Sequence, residues 1–400
     1  MPTISLRGKE MPESPIRKLV PYADKAKAAG KKIYHLNIGQ PDIKTPIEAL
    51  NAIRNSKEEI ISYTHSQGVL SYRQKLVKYF KEVAGIDNLT PDNFVVTTGG
   101  SEALIFTLGS ICDDGDEIIV PEPFYANYNG FTRTVGVKVV PIYSSIDDNF
   151  ALPPIEEFEK KITAKTKAIL ICHPGNPSGY IYSREELEKL KDLVLKHNIF
   201  LISDEVYREF IYDDNEYISV LSFDELKNHA VIIDSESKRF SMCGARLGSV
   251  VSKNEEILNA TLKFAQARLS PVFYGQIAAE AAHDADRKYI DDVRIEYTKR
   301  RNTIIKALNE IPNVKCPMPK GAFYCVAELP VDDAEKFSIW LLESFDLNGE
   351  TVMLAPANGF YSDRSLGKKE VRLAYVLNEQ DLLASVKIIR AALEKYPGRL

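Results

Sequence analysis

The 400-residue chain is predicted to fold as an α/β protein. A large part carries a mainly parallel, seven-stranded sheet flanked by helices, and a smaller α+β part is formed from the N- and C-terminal segments. Two observations carry this expectation. Seven short, β-branched apolar runs (FVVTT, DEIIV, KVVPIY, KAILIC, IFLIS, AVIID and GSVVS) alternate with longer helical patterns such as SREELEKLKDLVLKHN. That alternation is the pattern of a parallel sheet covered by helices on both faces. After about residue 285 the texture changes to long charged helical patterns, YIDDVRIEYTKRRNTIIKALNEI, DAEKFSIWLLESF and EQDLLASVKIIRAALEKY. The strand-like pieces GAFYCVAEL and KEVRLAYV separate them. The stretch before about Pro46 is rich in Pro and Gly and too short to fold alone, so it is expected to pack against the C-terminal part. The expected domains are residues 46–285 and, closing over a cleft beside the sheet, residues 1–45 with 286–400.

Composition narrows the partners. With 44% hydrophobic and 27% charged residues the chain has a globular balance. A formal net charge of -5, with Lys and Arg scattered rather than clustered, recommends neither nucleic acid nor an anionic membrane. A small molecule is the expected partner. Five cysteines, Cys112, Cys172, Cys243, Cys316 and Cys325, lie far apart without C-x-x-C spacing. This argues against a disulfide framework and against a metal site, and fits a reducing cytoplasm. The opening MPTISLRGKEMPESPIRKL has no apolar core of signal-peptide length. No apolar run approaches the roughly 20 residues that span a bilayer.

In open parallel sheets ligands gather at the carboxyl ends of the strands, where loops and helix N-termini converge. After FVVTT come Gly99, Gly100, Ser101 and Glu102, a turn into a helix whose N–H groups and hydroxyl suit a phosphate. After DEIIV, Tyr125 ends PEPFY and could stack on a flat ligand. After KAILIC, Asn176 sits between rigid turn residues in HPGNPSG. After IFLIS come Asp204, Val206 and Tyr207, and a carboxylate at the end of an apolar strand demands a cation or strong donors. After AVIID come Ser235, Ser237, Lys238 and, eight residues on, Arg246, whose fork suits phosphate.

Each has a bland reading taken singly: a turn, a core tyrosine, a loop amide, a helix cap, a solvated lysine. Five consecutive strand exits that together offer phosphate donors, a ring, an amide, a carboxylate and an amine are far harder to explain that way. The cofactor that uses this set is pyridoxal 5'-phosphate, an aromatic pyridinium with a phosphate arm, a phenolic oxygen and an aldehyde that a lysine captures as a Schiff base. Asp204 would keep the ring nitrogen protonated, Asn176 and Tyr207 would hold the phenolic oxygen, Tyr125 would stack on one face, and Val206 would lie under the other.

These residues resemble the fold-type I pyridoxal-phosphate enzymes, specifically the class I/II aminotransferases of the aspartate aminotransferase family, over nearly the whole chain. The S-x-S-K followed eight residues later by Arg is similar to the family's cofactor-lysine signature. Asn176 in NPSG, Asp204 and Tyr207 in SDEVY, and Gly100-Ser101 before EAL follow the family's order. The resemblance adds Gly39 in NIGQPD as a substrate-side glycine loop, and Arg372 in VRLAY as the arginine that binds the substrate α-carboxylate. It also implies that Tyr63 in ISYTHSQG reaches the phosphate of a neighbouring subunit, hence a homodimer with shared sites.

Three positions depart from the family pattern. Glu236 stands where an aromatic is common, His173 where Asn or Ser is frequent, and Ser101 where one bacterial aspartate-using branch carries a lysine that reads the distal carboxylate. The implied activity is ping-pong transfer of an amino group from an L-amino acid, aspartate or glutamate first, to a 2-oxo acid such as 2-oxoglutarate. In it Lys238, Asp204 and Tyr207 serve the chemistry. Aromatic or neutral amino acids, or β-elimination on the same fold, are the alternatives. A regulatory protein would carry an added DNA-binding module, and a dehydrogenase would show G-x-G-x-x-G after an early strand.

Overall fold

The computed structural model describes residues 2–400. Its strands are β1 (Lys32–His35), β2 (Phe94–Thr97), β3 (Glu117–Glu122), β4 (Lys138–Tyr143), β5 (Thr166–Cys172), β6 (Phe200–Asp204), β7 (Ala230–Ser235), β8 (Gly248–Ser252), β9 (Tyr324–Glu328), β10 (Glu350–Met353), β11 (Ala355–Pro356) and β12 (Glu370–Ala374). All seven apolar runs are strands of one sheet, in the order β2-β8-β7-β6-β5-β3-β4. From β4 to β7 the neighbours pair in parallel, whereas β8 runs antiparallel to both β7 and β2.

The alternation of side chains across the sheet explains why these strands read as unbroken apolar runs. Ala168 and Leu170 face one core cluster, and Ile169 and Ile171 face the other. The first face is covered by helices Gly99–Ile111 and Glu255–Arg268 through Leu104 and Leu258; the second is covered by Leu70–Ala84 and Arg184–His197 through Leu76 and Leu190. Both faces being dry, no polar residue is required at alternate positions. The helix Arg184–His197 opens with a capping box, in which Ser183 Oγ accepts from Glu186 N at 3.2 Å and the Glu186 carboxylate accepts from Ser183 N at 2.7 Å.

Because β8 runs backwards, its first residue lies at the edge where its neighbours end. Gly248 stands opposite both Ser235 and Thr97. A Cβ there would lie 2.6 Å from Asp234 O and 2.6 Å from the Gly99 carbonyl carbon. Only glycine lets three chain segments meet this closely.

The C-terminal patterns appear as helices Lys288–Asn309, Ala334–Glu343 and Glu379–Lys395, packed on a three-stranded antiparallel sheet in the order β11-β12-β9. A separate parallel pair joins the chain ends, β1 beside β10, with Lys32 opposite Glu350. Strands of four residues such as KIYH and ETVM are too short to show a period, and neither stands out in the sequence. Tyr207 and Phe210 belong to the same core cluster as Tyr297, Phe323 and Leu373, so the exit of β6 is packed directly against the C-terminal elements. Among the described residues no helix is long and apolar enough to cross a membrane.

Candidate active site

The ends of β2, β5, β6 and β7 and the start of β8 surround a cavity of about 550 Å3. It brings together Gly39, Gly100, Ser101, Tyr125, Asn176, Asp204, Val206, Tyr207, Ser235, Ser237, Lys238, Arg246 and Arg372. Gly99, Glu102 and Tyr63, also named from the sequence as phosphate-side residues, are not part of its lining. Glu102 turns back on its own helix, where its carboxylate accepts from Thr98 N at 2.7 Å and from Arg268 at 3.0 Å. Tyr63 is 77% exposed beside Ile60 and Ile61, both also exposed, and is not part of the cavity's lining.

Asp204 is buried at the end of β6. One carboxylate oxygen accepts from the Tyr128 hydroxyl at 2.7 Å and the other from Val206 N at 3.4 Å. Burial is the dominant influence and pushes its carboxyl up to about 6 against those two donors. Across the cavity Lys238 Nζ donates to Gly39 O at 2.9 Å. Ser235 Oγ lies 2.9 Å from Ser237 Oγ, and Arg246 NH1 donates to Cys243 O at 3.0 Å. These polar groups cluster beside the N-terminus of helix Gly99–Ile111, the positive end of its dipole.

The turn that carries Lys238 has a second side. Of the stretches Asp204–Glu205 and Asp234–Arg239, Asp204, Ser235, Ser237 and Lys238 line the cavity, whereas Glu205, Asp234, Glu236 and Arg239 point away from it. Those pointing away form a buried chain of charges: Glu205 to Arg208 at 3.3 Å, Arg208 to Asp234 at 3.1 Å, Asp234 to Arg239, and Arg239 to Glu236 at 2.8 Å. Glu236 also accepts from Tyr72 at 2.6 Å and lies 3.1 Å from His283 Nε2. Burial alone would raise its carboxyl, but Arg239, His283 and Tyr72 together outweigh it and hold it low. An acid in place of an aromatic thus has a full set of partners. Glu236→Ala is expected to lower the unfolding free energy by about 3 kcal/mol, since it takes one of two carboxylates from buried Arg239 and the acceptor from the buried Tyr72 hydroxyl; a urea denaturation midpoint unchanged from wild type would contradict this.

On the opposite wall Arg372 is 1% exposed and lies over the Tyr324 and Phe360 rings at 4.6 and 5.0 Å. Its NH2 donates to Asn37 O, its NH1 to Asn176 Oδ1 at 3.4 Å, and its Nε has no partner. Among the described residues no carboxylate pairs with it. Asn176 Nδ2 reaches the Tyr207 hydroxyl at 3.5 Å, which in turn meets the Tyr324 hydroxyl at 2.9 Å.

A family profile described as aminotransferase class I and II matches residues 31–384. The chain belongs to that family. Among curated relatives it is 32% identical over 384 residues to an aspartate aminotransferase of Bacillus subtilis, covering 94% of each chain. It is also 32% identical over 376 residues to a (5-formylfuran-3-yl)methyl phosphate transaminase of Methanocaldococcus jannaschii, covering 93% of this chain and 95% of the relative. Among solved structures an alanine aminotransferase from Pyrococcus furiosus superposes with a TM-score of 0.90 at 29% identity, over 98% of this chain and all of the other.

This class I and II aminotransferase builds its cavity from further residues that strand exits alone do not reveal. Tyr128, at the start of helix Tyr128–Thr134, does not line the cavity itself but holds the lining residue Asp204 from 76 positions away. Tyr324, on β9, crosses from the C-terminal elements to Tyr207. Gly39 is held to glycine by that same ring, because a Cβ there would sit 1.7 Å from Tyr324 Oη. Ser14, Ile16 and Arg17 reach the cavity from a segment with no periodic pattern at all.

Proposed function

We propose that this aminotransferase uses pyridoxal 5'-phosphate, held by Lys238, to move the amino group of an L-amino acid, aspartate or glutamate first, to a 2-oxo acid such as 2-oxoglutarate. The observation that carries the reading is the meeting, in one cavity, of a lysine amine that makes no ion pair, a buried carboxylate, and a buried guanidinium with no acid beside it. The donor set suits the group. Arg372 Nε is an orphaned buried donor, and Lys238 and Arg246 pair with no carboxylate among the described residues.

When bound, pyridoxal phosphate supplies an aldehyde for the lysine amine and a protonated ring that withdraws electrons from the substrate α-carbon. Gly100, Ser101 and Glu102 would offer backbone N–H groups, and Ser235, Ser237 and Arg246 side chains, to the phosphate. Asp204, ionised above about 6, would keep a proton on the ring nitrogen. Asn176 and Tyr207 would hold the phenolic oxygen, with Tyr125 and Val206 on the two ring faces. Arg372 would grip the α-carboxylate, helped by Asn176 and the Gly39 loop, and so aim the substrate amine. Lys238 Nζ, freed by the incoming amine, would take the α-proton as general base.

Residues 46–285 would form the cofactor-binding domain, and residues 1–45 with 286–400 would close over it and exclude water. The exposed apolar stretch around Ile60, Ile61 and Tyr63 supports a homodimer in which Tyr63 reaches the partner's phosphate site. The five cysteines, all free, support a reducing cytoplasm.

The test is the absorbance of the cofactor-loaded chain. Adding aspartate or glutamate without an acceptor is expected to bleach the visible band, and adding 2-oxoglutarate to restore it. Steady release of pyruvate and ammonia, with no need of an acceptor, would replace transfer by elimination.

A further inference from the structure

Lys238 has a second neighbour besides Gly39 O. Its Nζ lies 3.9 Å from Cys243 Sγ, and both side chains line the cavity. We propose that Cys243 and Lys238 form a reversible covalent modification site for peroxide: once hydrogen peroxide has oxidised the thiol, the lysine amine closes on its sulfur and is lost to the cofactor. This rests on the reading in which Lys238 takes the cofactor aldehyde, since one amine cannot hold both.

The two groups are held together by one closed turn. Cys243 Sγ donates to Ser237 O at 3.1 Å, Met242 N donates to the same oxygen at 3.2 Å, and Ser241 N donates to Lys238 O at 3.4 Å. The backbone therefore brings the thiol back to the lysine and sets their separation. Neither side chain bonds to a carboxylate among the described residues. The other thiols are placed differently. Cys172 shares the cavity, but it donates to Pro174 O at 3.3 Å, and burial together with Asp204 pushes its thiol up. Burial pushes the Cys112 thiol up to about 12, and Cys316 and Cys325 lie inside the C-terminal core.

In the first step the Cys243 sulfur attacks one oxygen of hydrogen peroxide and the O–O bond breaks. The thiol is oxidised to a sulfenic acid and the peroxide is reduced to water. The lone pair of Lys238 Nζ then attacks that sulfur. An N–S bond forms, the S–O bond breaks, and the hydroxyl leaves with a proton of the amine as a second water, so no further oxidant is consumed. A small thiol reverses the bond: its sulfur attacks the Cys243 sulfur, the amine departs with a proton, and a second small thiol frees the cysteine as the two form their own disulfide. A lysine already held by the aldehyde has no free amine to offer, so the loaded chain is protected.

The experiment treats the full chain with hydrogen peroxide, cofactor-free and loaded with pyridoxal phosphate, as wild type, Cys243→Ser and Cys172→Ser, and maps tryptic peptides by mass. Cofactor-free wild type is expected to give a peptide lighter by one pair of hydrogens, in which Cys243 and Lys238 are joined and trypsin no longer cuts after Lys238. Its uptake of pyridoxal phosphate is expected to fall about 10-fold and to return with dithiothreitol. Cys172→Ser should behave as wild type, whereas Cys243→Ser should stay within about twofold of its own untreated sample. Cys243 left unchanged, or found only as its sulfinic or sulfonic acid, overturns the proposal, as does an equal loss of uptake in Cys243→Ser. A cross-link that forms as readily in the loaded chain overturns the assignment of Lys238 to the aldehyde and leaves the thiol–amine bond standing.

Discussion

Lys238→Ala is expected to lower kcat/KM for amino-group transfer by about 10^4-fold or more, because one side chain has two tasks. In the proposed reaction its amine would anchor the cofactor aldehyde and, once freed, would be the general base at the α-carbon; loss of a positioned base alone is worth about 10^2 to 10^4-fold. The fold should be indifferent. Lys238 is only partly buried and makes no ion pair, its contacts being Gly39 O at 2.9 Å and Cys243 Sγ at 3.9 Å. The charge network that fixes its turn runs through Glu236 and Arg239, which the substitution leaves in place. The expected outcome is a melting temperature near wild type with transfer abolished. Transfer within tenfold of wild type would remove Lys238 from the chemistry.

Asp204→Asn is expected to do two opposite things, reducing kcat/KM by about 10^3-fold and stabilising the cofactor-free chain. The carboxyl is buried and raised to about 6, chiefly by burial, against about 3.9 in an unfolded chain. With the folded value above the unfolded one, the protonated group contributes stability that is fully present below about pH 4 and lost as pH rises through about 6. Above that the ionised group costs about 2–3 kcal/mol, and asparagine does not carry this cost. Urea denaturation of the two cofactor-free proteins should therefore give similar stabilities near pH 4 and a gap that opens towards pH 6, with the variant the more stable. A gap independent of pH would contradict the assignment of this titration to Asp204. Cofactor should narrow it, since a protonated ring nitrogen gives the carboxylate its missing counter-charge.

How much of this is legible in the sequence follows from the range of each interaction. Residues that stand at the end of an apolar run, such as Asp204, Asn176 and Lys238, can be found because the run itself marks the edge of the sheet. The sheet strands are legible for the same reason, both faces being dry. Arg372 has no such marker; it sits in a short strand of mixed character and is picked out only by resemblance to a family. Tyr128, Tyr324 and Arg17 escape both routes, since nothing local distinguishes them from core aromatics or a surface cation. Glu236 reads as a harmless departure, yet its partner Tyr72 lies 164 positions away, so no local reading could show that the acid is fully paired. Glu102 illustrates the converse: a residue in the right motif whose side chain turns to Arg268 instead.

The pairing of β1 with β10 sets an order of events during synthesis. Lys32 leaves the ribosome early, but its partner Glu350 follows 318 positions later, about 16 to 60 s at typical elongation rates. All seven strands of the large sheet, and with them Asp204 and Lys238, are complete within that interval. The nascent chain therefore holds its lysine and carboxylate in a folded sheet while Arg372, Gly39 and Arg17 still await their places. In the proposed reading an aldehyde could be captured before any acid could be gripped, since Arg372 is the last of the cavity's lining residues to be made.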